Sequence, residues 1–183
     1  QGYVALAPLM ITNGLAPGDT IASTTNMAPM STTGNGPGGG LGGEWNMFTG
    51  SLQMDMQGTG SLSGFHRVLS VPITTGQVDN APRVPATSPQ AFATDLYGMQ
   101  AQIAGGDPDF DLLRITVGTG FGLPSPGHTT LTVSGSTWVV DSFFDITYRI
   151  DFVGAPGGPL GGMSGSTTAT IRNEADNGLK NER

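Results

Sequence analysis

The chain contains no cysteine. That absence removes disulfides, thiolate metal sites and cysteine nucleophiles together. Basic residues are scarce: seven Lys and Arg stand against fourteen Asp and Glu, and Lys180 is the only lysine. Nucleic acids and anionic lipid surfaces are gripped by clustered Lys and Arg, so this balance speaks against both as partners. Charged residues of either sign make up 11% of the chain, so much of the surface must consist of Ser, Thr, Asn, Gln and Gly, a texture associated with exported proteins. No apolar run approaches the ~18 residues of a helical membrane span. The sequence also lacks an Asn-x-Ser/Thr glycosylation acceptor.

Glycine and proline are abundant. Thirty glycines and thirteen prolines in 183 residues punctuate the chain too often for long helices, because these two residues are the least compatible with a helix interior. The length fits one domain able to bury a core without staples. A beginning at Gln1 rather than Met fits a chain whose export signal has been removed, and an edited terminus reads the same.

Residues 1–43 are read as an apolar arm, YVALAPLMI with Tyr3, Val4, Leu6, Leu9 and Ile11, followed by a Gly/Thr/Pro-rich linker that ends in GNGPGGGLGG. Pro8 suits the arm to an edge position. Residues 44–172 carry the strand signals, and residues 173–183 form a polar tail. In SLQMDMQ, Leu52, Met54 and Met56 alternate with Gln53, Asp55 and Gln57, the pattern of a strand with one buried face. The same period runs through 65–73, where Pro72 suggests an edge strand, and through 96–104, 113–117, 129–133 and 166–172.

The longest run is TWVVDSFFDITYRIDFV. Trp138, Val140, Phe144, Ile146, Tyr148, Ile150 and Phe152 share one parity, which assigns Trp138 and Tyr148 to the core and leaves Trp45 and Tyr3 as aromatics free to touch a partner. About seven strands joined by turn-rich loops predict an all-β fold, an antiparallel β-sandwich or jelly-roll type with an extended N-terminal arm and long Gly/Pro-rich loops.

The stretch VDSFFDITYRIDFVGAPG, within a block from about Asp107 to Ile171, resembles a module of large secreted or cell-surface proteins of environmental bacteria. The resemblance implies an exported β-rich module and carries no activity and no site residues with it.

Few residues point to chemistry. In GGDPDFD, Asp107, Asp109 and Asp111 have the alternate spacing of calcium-loop carboxylates, and Asp141 or Asp145 from a neighbouring strand would add oxygens. Leu112 and Gly118 stand where an EF-hand needs its turn glycine and its bidentate glutamate, so an acidic turn is the competing reading. His66 and His128 lack a third nitrogen or thiolate for zinc. Ser125, His128 and Asp141 can be drawn as a triad, but the serine has no nucleophile-elbow context. The glycine clusters lack the Lys-Ser/Thr of a P-loop.

These observations lead to the expectation of a non-enzymatic, extracellular or cell-surface structural protein that needs no cofactor. Its expected partner is itself, in a filament, sheath or surface layer formed when the arm adds as a strand to a neighbour. The alternative expectation is a glycan-binding or calcium-dependent adhesion module, in which another cell-surface protein or a glycan is the partner and Trp45 makes the contact.

Overall fold

A computed structural model describes residues 2–176. Ten strands follow in order: β1 (Gly2–Ala5), β2 (Leu9–Ile11), β3 (Ile21–Pro37), β4 (Glu44–Gly58), β5 (His66–Asn80), β6 (Gln90–Ala104), β7 (Phe110–Val117), β8 (Pro126–Ser134), β9 (Thr137–Gly154) and β10 (Ser164–Asp176). Only two short 3-10 turns, Gly60–Leu62 and Thr119–Phe121, interrupt them. The all-β antiparallel expectation holds, and the seven segments assigned from alternation fall on observed strands, with Phe65 alone lying one residue before β5.

Strand order is sequential, a meander in a single sheet. Two strand positions are shared. β7 pairs with the C-terminal half of β6 and β8 with its N-terminal half, so the two run end to end with an excursion at 118–125 between them. β1 and β2 likewise run end to end along β3, broken at Leu6–Pro8. Because β1 also pairs with β10, from Gly2↔Asp176 to Ala5↔Asn173, the ladder returns on itself. The sheet is a flattened closed barrel whose two walls pack face to face.

This closure corrects the expectation of a free arm. Tyr3, Val4, Leu9 and Ile11 belong to the strand that seals the barrel of their own chain, with Leu9 and Ile11 buried and only Leu6 largely exposed. An apolar segment at the chain's start reads the same whether it seals its own sheet or a neighbour's, so composition could not separate the two.

The expected linker is likewise a strand. β3 pairs with β4 from Ile21↔Gly58 to Pro37↔Glu44 across two bulges. Its glycines answer to geometry rather than flexibility: a Cβ on Gly36 would lie 2.7 Å from the Trp45 ring, and Gly39, at φ +83°, faces the Asp79 carboxylate. The backbone N–H of Gly40 donates to that carboxylate at 2.9 Å, pinning the glycine turn. Of the expected polar tail, 173–176 continue β10, and 177–183 lie outside the described residues.

Inward positions carry the core: Leu52, Met54 and Met56 on β4, Leu69 and Val71 on β5, Leu113, Ile115 and Val117 on β7, and Phe144 to Phe152 by twos on β9. Each such side chain contributes roughly 1.5–3 kcal/mol of burial. Tyr148, 1% exposed, is core as expected, and its hydroxyl accepts from the Met10 N–H at 3.0 Å. The middle of the barrel is filled, since the void under the sealing strand measures about 20 Å³, room for one water beside the unpartnered Asn173 Oδ1. Outward positions hold Gln53, Asp55 and Gln57 and their like, the reverse of a lipid-facing barrel. Among the described residues no helix is long and apolar enough to cross a membrane.

Candidate functional site

The two ends of the barrel differ. One end is capped by the connections 12–20, 59–65, 105–109 and 155–163. Leu62, Phe65, Phe110 and Leu160 fill it, with the Phe65 and Phe110 rings edge to face at 6.3 Å. The expected metal aspartates lie here.

Asp107 and Asp109 sit in an acidic turn that is tied to the barrel by an arginine. Arg67 points from β5 into the turn, and its Nη1 and Nη2 donate to the Asp107 carboxylate at 3.0 Å each, while Nη1 also bonds Asp109. The Asp107 side chain is only 7% exposed. Burial pushes its carboxyl up, but the hydrogen bonds and charge of Arg67, aided by the Asp109 N–H, outweigh that and hold it below its ordinary value. The carboxylates raise the guanidinium in return.

The ion pair has a structural purpose. β5 pairs with β6 only from Ile73 onward, so from His66 to Pro72 that edge has no ladder, and Arg67 bridges the opening to the turn that follows β6. The edge character suggested by Pro72 is therefore confined to this stretch of an otherwise interior strand.

The wider calcium constellation is not assembled. Asp111 is exposed on β7. Asp145 lies nine residues from Gly154, the partner of Phe110, which along a strand is about 30 Å from the acidic turn. It is held by Arg172 through both oxygens at 2.8 Å and sits below its ordinary value for that reason. Asp141 is farther still along β9. Among the described residues no group of three or more His, Asp or Glu is placed to hold a metal ion.

The drawn triad does not form either. Ser125 is fully buried and donates to the Leu123 carbonyl at 3.0 Å, while His128 stands on an exposed strand face beside the Phe143 ring. His66 bonds Asp55 at 2.7 Å on the surface.

The other end is open. Here β3–β4, β5–β6 and β8–β9 turn back, and the β8–β9 hairpin runs on past the rim. Its inward-parity residues Val133 and Trp138 reach past the packed core, and Trp138, expected in the core, is 45% exposed. The parity reading was sound for the strand, but the strand outruns its barrel.

Trp138 and Leu131 line a cleft of about 690 Å³ with Glu44, Arg83, Gln90 and the Pro82–Pro85 stretch. Below it, and sharing Glu44, Arg83 and Leu131, lies a cup of about 360 Å³ lined by Tyr3, Phe48, Phe92, Thr94 and Phe144, among others. Arg83 donates to Glu44 at 2.7 Å and its guanidinium lies 4.5 Å from the centre of the Phe92 ring. Tyr3, against Phe144, donates to Ser142 at 3.2 Å, and burial pushes its phenol up. Trp45, the expected contact residue, stands half-buried over Gly36 and does not line the cleft.

An apolar concavity with a few convergent polar groups is where a ligand has somewhere to go, and a second concavity, of about 400 Å³, lies at the capped end beside Arg67 and Asp109. No protein-family model matches the chain, and no curated protein or solved structure matches it.

Proposed function

We propose that the chain is a non-enzymatic binding module, acting outside the cell or on its surface, that takes a neutral glycan at the open end of its barrel. The observation that carries this reading is the overhanging hairpin, which holds the exposed Trp138 over a cleft whose charged lining among the described residues, Arg83 and Glu44, is already paired. An indole face stacks on the C–H face of a sugar ring, while Gln90 and the Arg83–Glu44 pair supply hydroxyl partners. The scarcity of Lys and Arg fits a neutral ligand. Binding of the purified chain to an array of neutral oligosaccharides tests it: Trp138→Ala abolishes the signal and Trp45→Ala leaves it, whereas an unchanged Trp138→Ala signal rejects the reading.

Self-association is a second reading, favoured by the sealing strand. A closed barrel has no edge to extend, yet β1 meets β3 at only two positions and is broken from β2 at Pro8. Exchange of residues 2–11 between copies would rebuild the same pairings in trans. Light scattering of concentrated protein checks this. Dimers that vanish when Val4→Cys and Glu174→Cys, registered partners, are joined by a disulfide support exchange; a strict monomer refutes it.

A further inference from the structure

We infer that the outer wall of β6 receives an arginine side chain from a partner polypeptide, held on the Asp95 carboxylate against the exposed rings of Tyr97 and Phe121; this does not rest on the glycan reading. The fold shows the same pattern twice within itself. The Arg172 guanidinium lies 4.2 Å from the centre of the Phe143 ring and donates to both oxygens of Asp145 at 2.8 Å, and Arg83 stands likewise between the Phe92 ring, at 4.5 Å, and Glu44. Phe143 and Asp145 are two residues apart on the outer face of β9. Asp95 and Tyr97 are two residues apart on the outer face of β6, and no described arginine serves them. The other three are engaged elsewhere, Arg67 with Asp107 and Asp109, Arg114 and Arg149 with Asp151.

The two rings are seated by glycines. Phe121 lies on Gly98, where a Cβ would come within 3.2 Å of the ring, and the Tyr97 ring takes the space that a side chain on Gly120 would need, at 2.8 Å. The Thr119 hydroxyl donates to Asp95 Oδ1 at 2.7 Å, tying the turn that carries Phe121 to the carboxylate. Tyr97 and Phe121 nevertheless stay 42% and 44% exposed. Opposite Asp95 stand Asp79 on β5 and Pro126 on β8, where Asp145 has Arg172. Like charges directly opposite in a sheet are destabilising. Asp79 is buried and already accepts from the Gly40 N–H and the Gln77 amide, which leaves Asp95 to meet a cation. Burial pushes the Asp95 carboxyl up, the Thr119 hydrogen bond pulling against it and the Asp79 charge adding to it, whereas Arg172 holds Asp145 below its ordinary value. A guanidinium answers all of this, because its plane stacks on an aromatic face while its N–H fork donates to a carboxylate, a combination that a lysine ammonium does not match. A second copy of the chain brings described arginines that are already paired, which points to a different polypeptide.

Nuclear magnetic resonance titration of the intact chain tests this with capped Gly-Gly-X-Gly-Gly peptides, in which X is arginine, lysine or citrulline, and with calcium chloride. The arginine peptide is expected to shift the backbone signals of Gly98, Thr119 and Gly120 with a dissociation constant of about 10 mM, and the lysine peptide to bind roughly threefold more weakly. Citrulline, which has the shape of arginine without its charge, is expected to leave those signals in place. Asp95→Asn, whose amide oxygen still accepts from Thr119, weakens the arginine peptide about fivefold. The comparison among peptides stands on the unaltered protein even where that variant does not fold. Equal shifts with arginine and citrulline, or no shift at these positions with the arginine peptide, overturn the inference. Calcium moving the same signals makes this a metal site and overturns it as well. Should removal of residues 177–183, which carry Lys180 and Arg183, move those signals with no ligand added, the occupant is this chain's own terminus and the partner assignment falls.

Discussion

The capped and open ends of the barrel are built from the same strands with opposite outcomes. At the capped end, Phe110 and Leu160 are wholly buried, and a missing stretch of β5–β6 ladder is bridged by Arg67 on Asp107 and Asp109. At the open end, strands run past their partners, so residues of inward parity emerge into a cleft, and the ion pair there, Arg83 on Glu44, sits at the rim of a cavity. At the capped end Phe65 and Phe110 are buried together, whereas at the open end Trp138 stays 45% exposed above the buried Phe48, Phe92 and Phe144. On the proposed function, stability and binding are divided along the barrel axis.

Substitutions sharpen that division. The largest effect is expected for Phe110→Ala, which removes a fully buried ring and costs about 3–5 kcal/mol in denaturant unfolding. Arg67→Met comes next: it strands two adjacent, mostly buried carboxylates and costs about 3 kcal/mol at neutral pH. Both variants are expected to bind ligand normally wherever they stay folded.

Acid titration isolates the second effect. The folded Asp107 carboxyl lies below its unfolded value, so its contribution is complete above the ordinary carboxylate range, about pH 4, and is lost as pH falls through the lower folded value. The stability gap between the unaltered chain and Arg67→Met should therefore close below about pH 4, which urea melts across that range would show. A gap that is constant with pH would remove the ion pair from the account. The smallest stability effect, within about 0.5 kcal/mol, is expected for Trp138→Ala, together with the loss of glycan binding. Were Trp138→Ala to destabilise the chain as much as Phe110→Ala, the contrast between the ends would fail.

The period-2 pattern made most of this barrel legible. Leu52, Met54 and Met56, or Ile146, Tyr148 and Ile150, show their faces in the sequence because each strand has one wet side. Two things were hidden. β3 was obscured because its Thr, Asn and Gly residues read as linker, while the need for Gly36 beneath Trp45 exists only once the strands are paired. The arm was misplaced because pairing partners are not written in a strand's own composition.

The open-end site was hidden for a further reason. Parity tells which side of a sheet a residue faces, not whether anything stands opposite, so Trp138 and Tyr148 look alike in sequence and part company only where β9 outruns the barrel. The one available signal was length, since an 18-residue strand is longer than the 8 residues of β7 beside it. The acidic turn shows the same limit in reverse: alternate aspartates are legible, but the arginine they meet lies 40 residues away in the chain.

The two tryptophans offer the most direct test of the claim that the open end binds the ligand. Nuclear magnetic resonance of the indole N–H signals, followed as a neutral oligosaccharide selected on the array is added, reads both at once. The account requires the Trp138 signal to shift progressively to saturation while the Trp45 signal stays in place. Movement of Trp45 alone, or no movement of either signal at millimolar ligand, would contradict it.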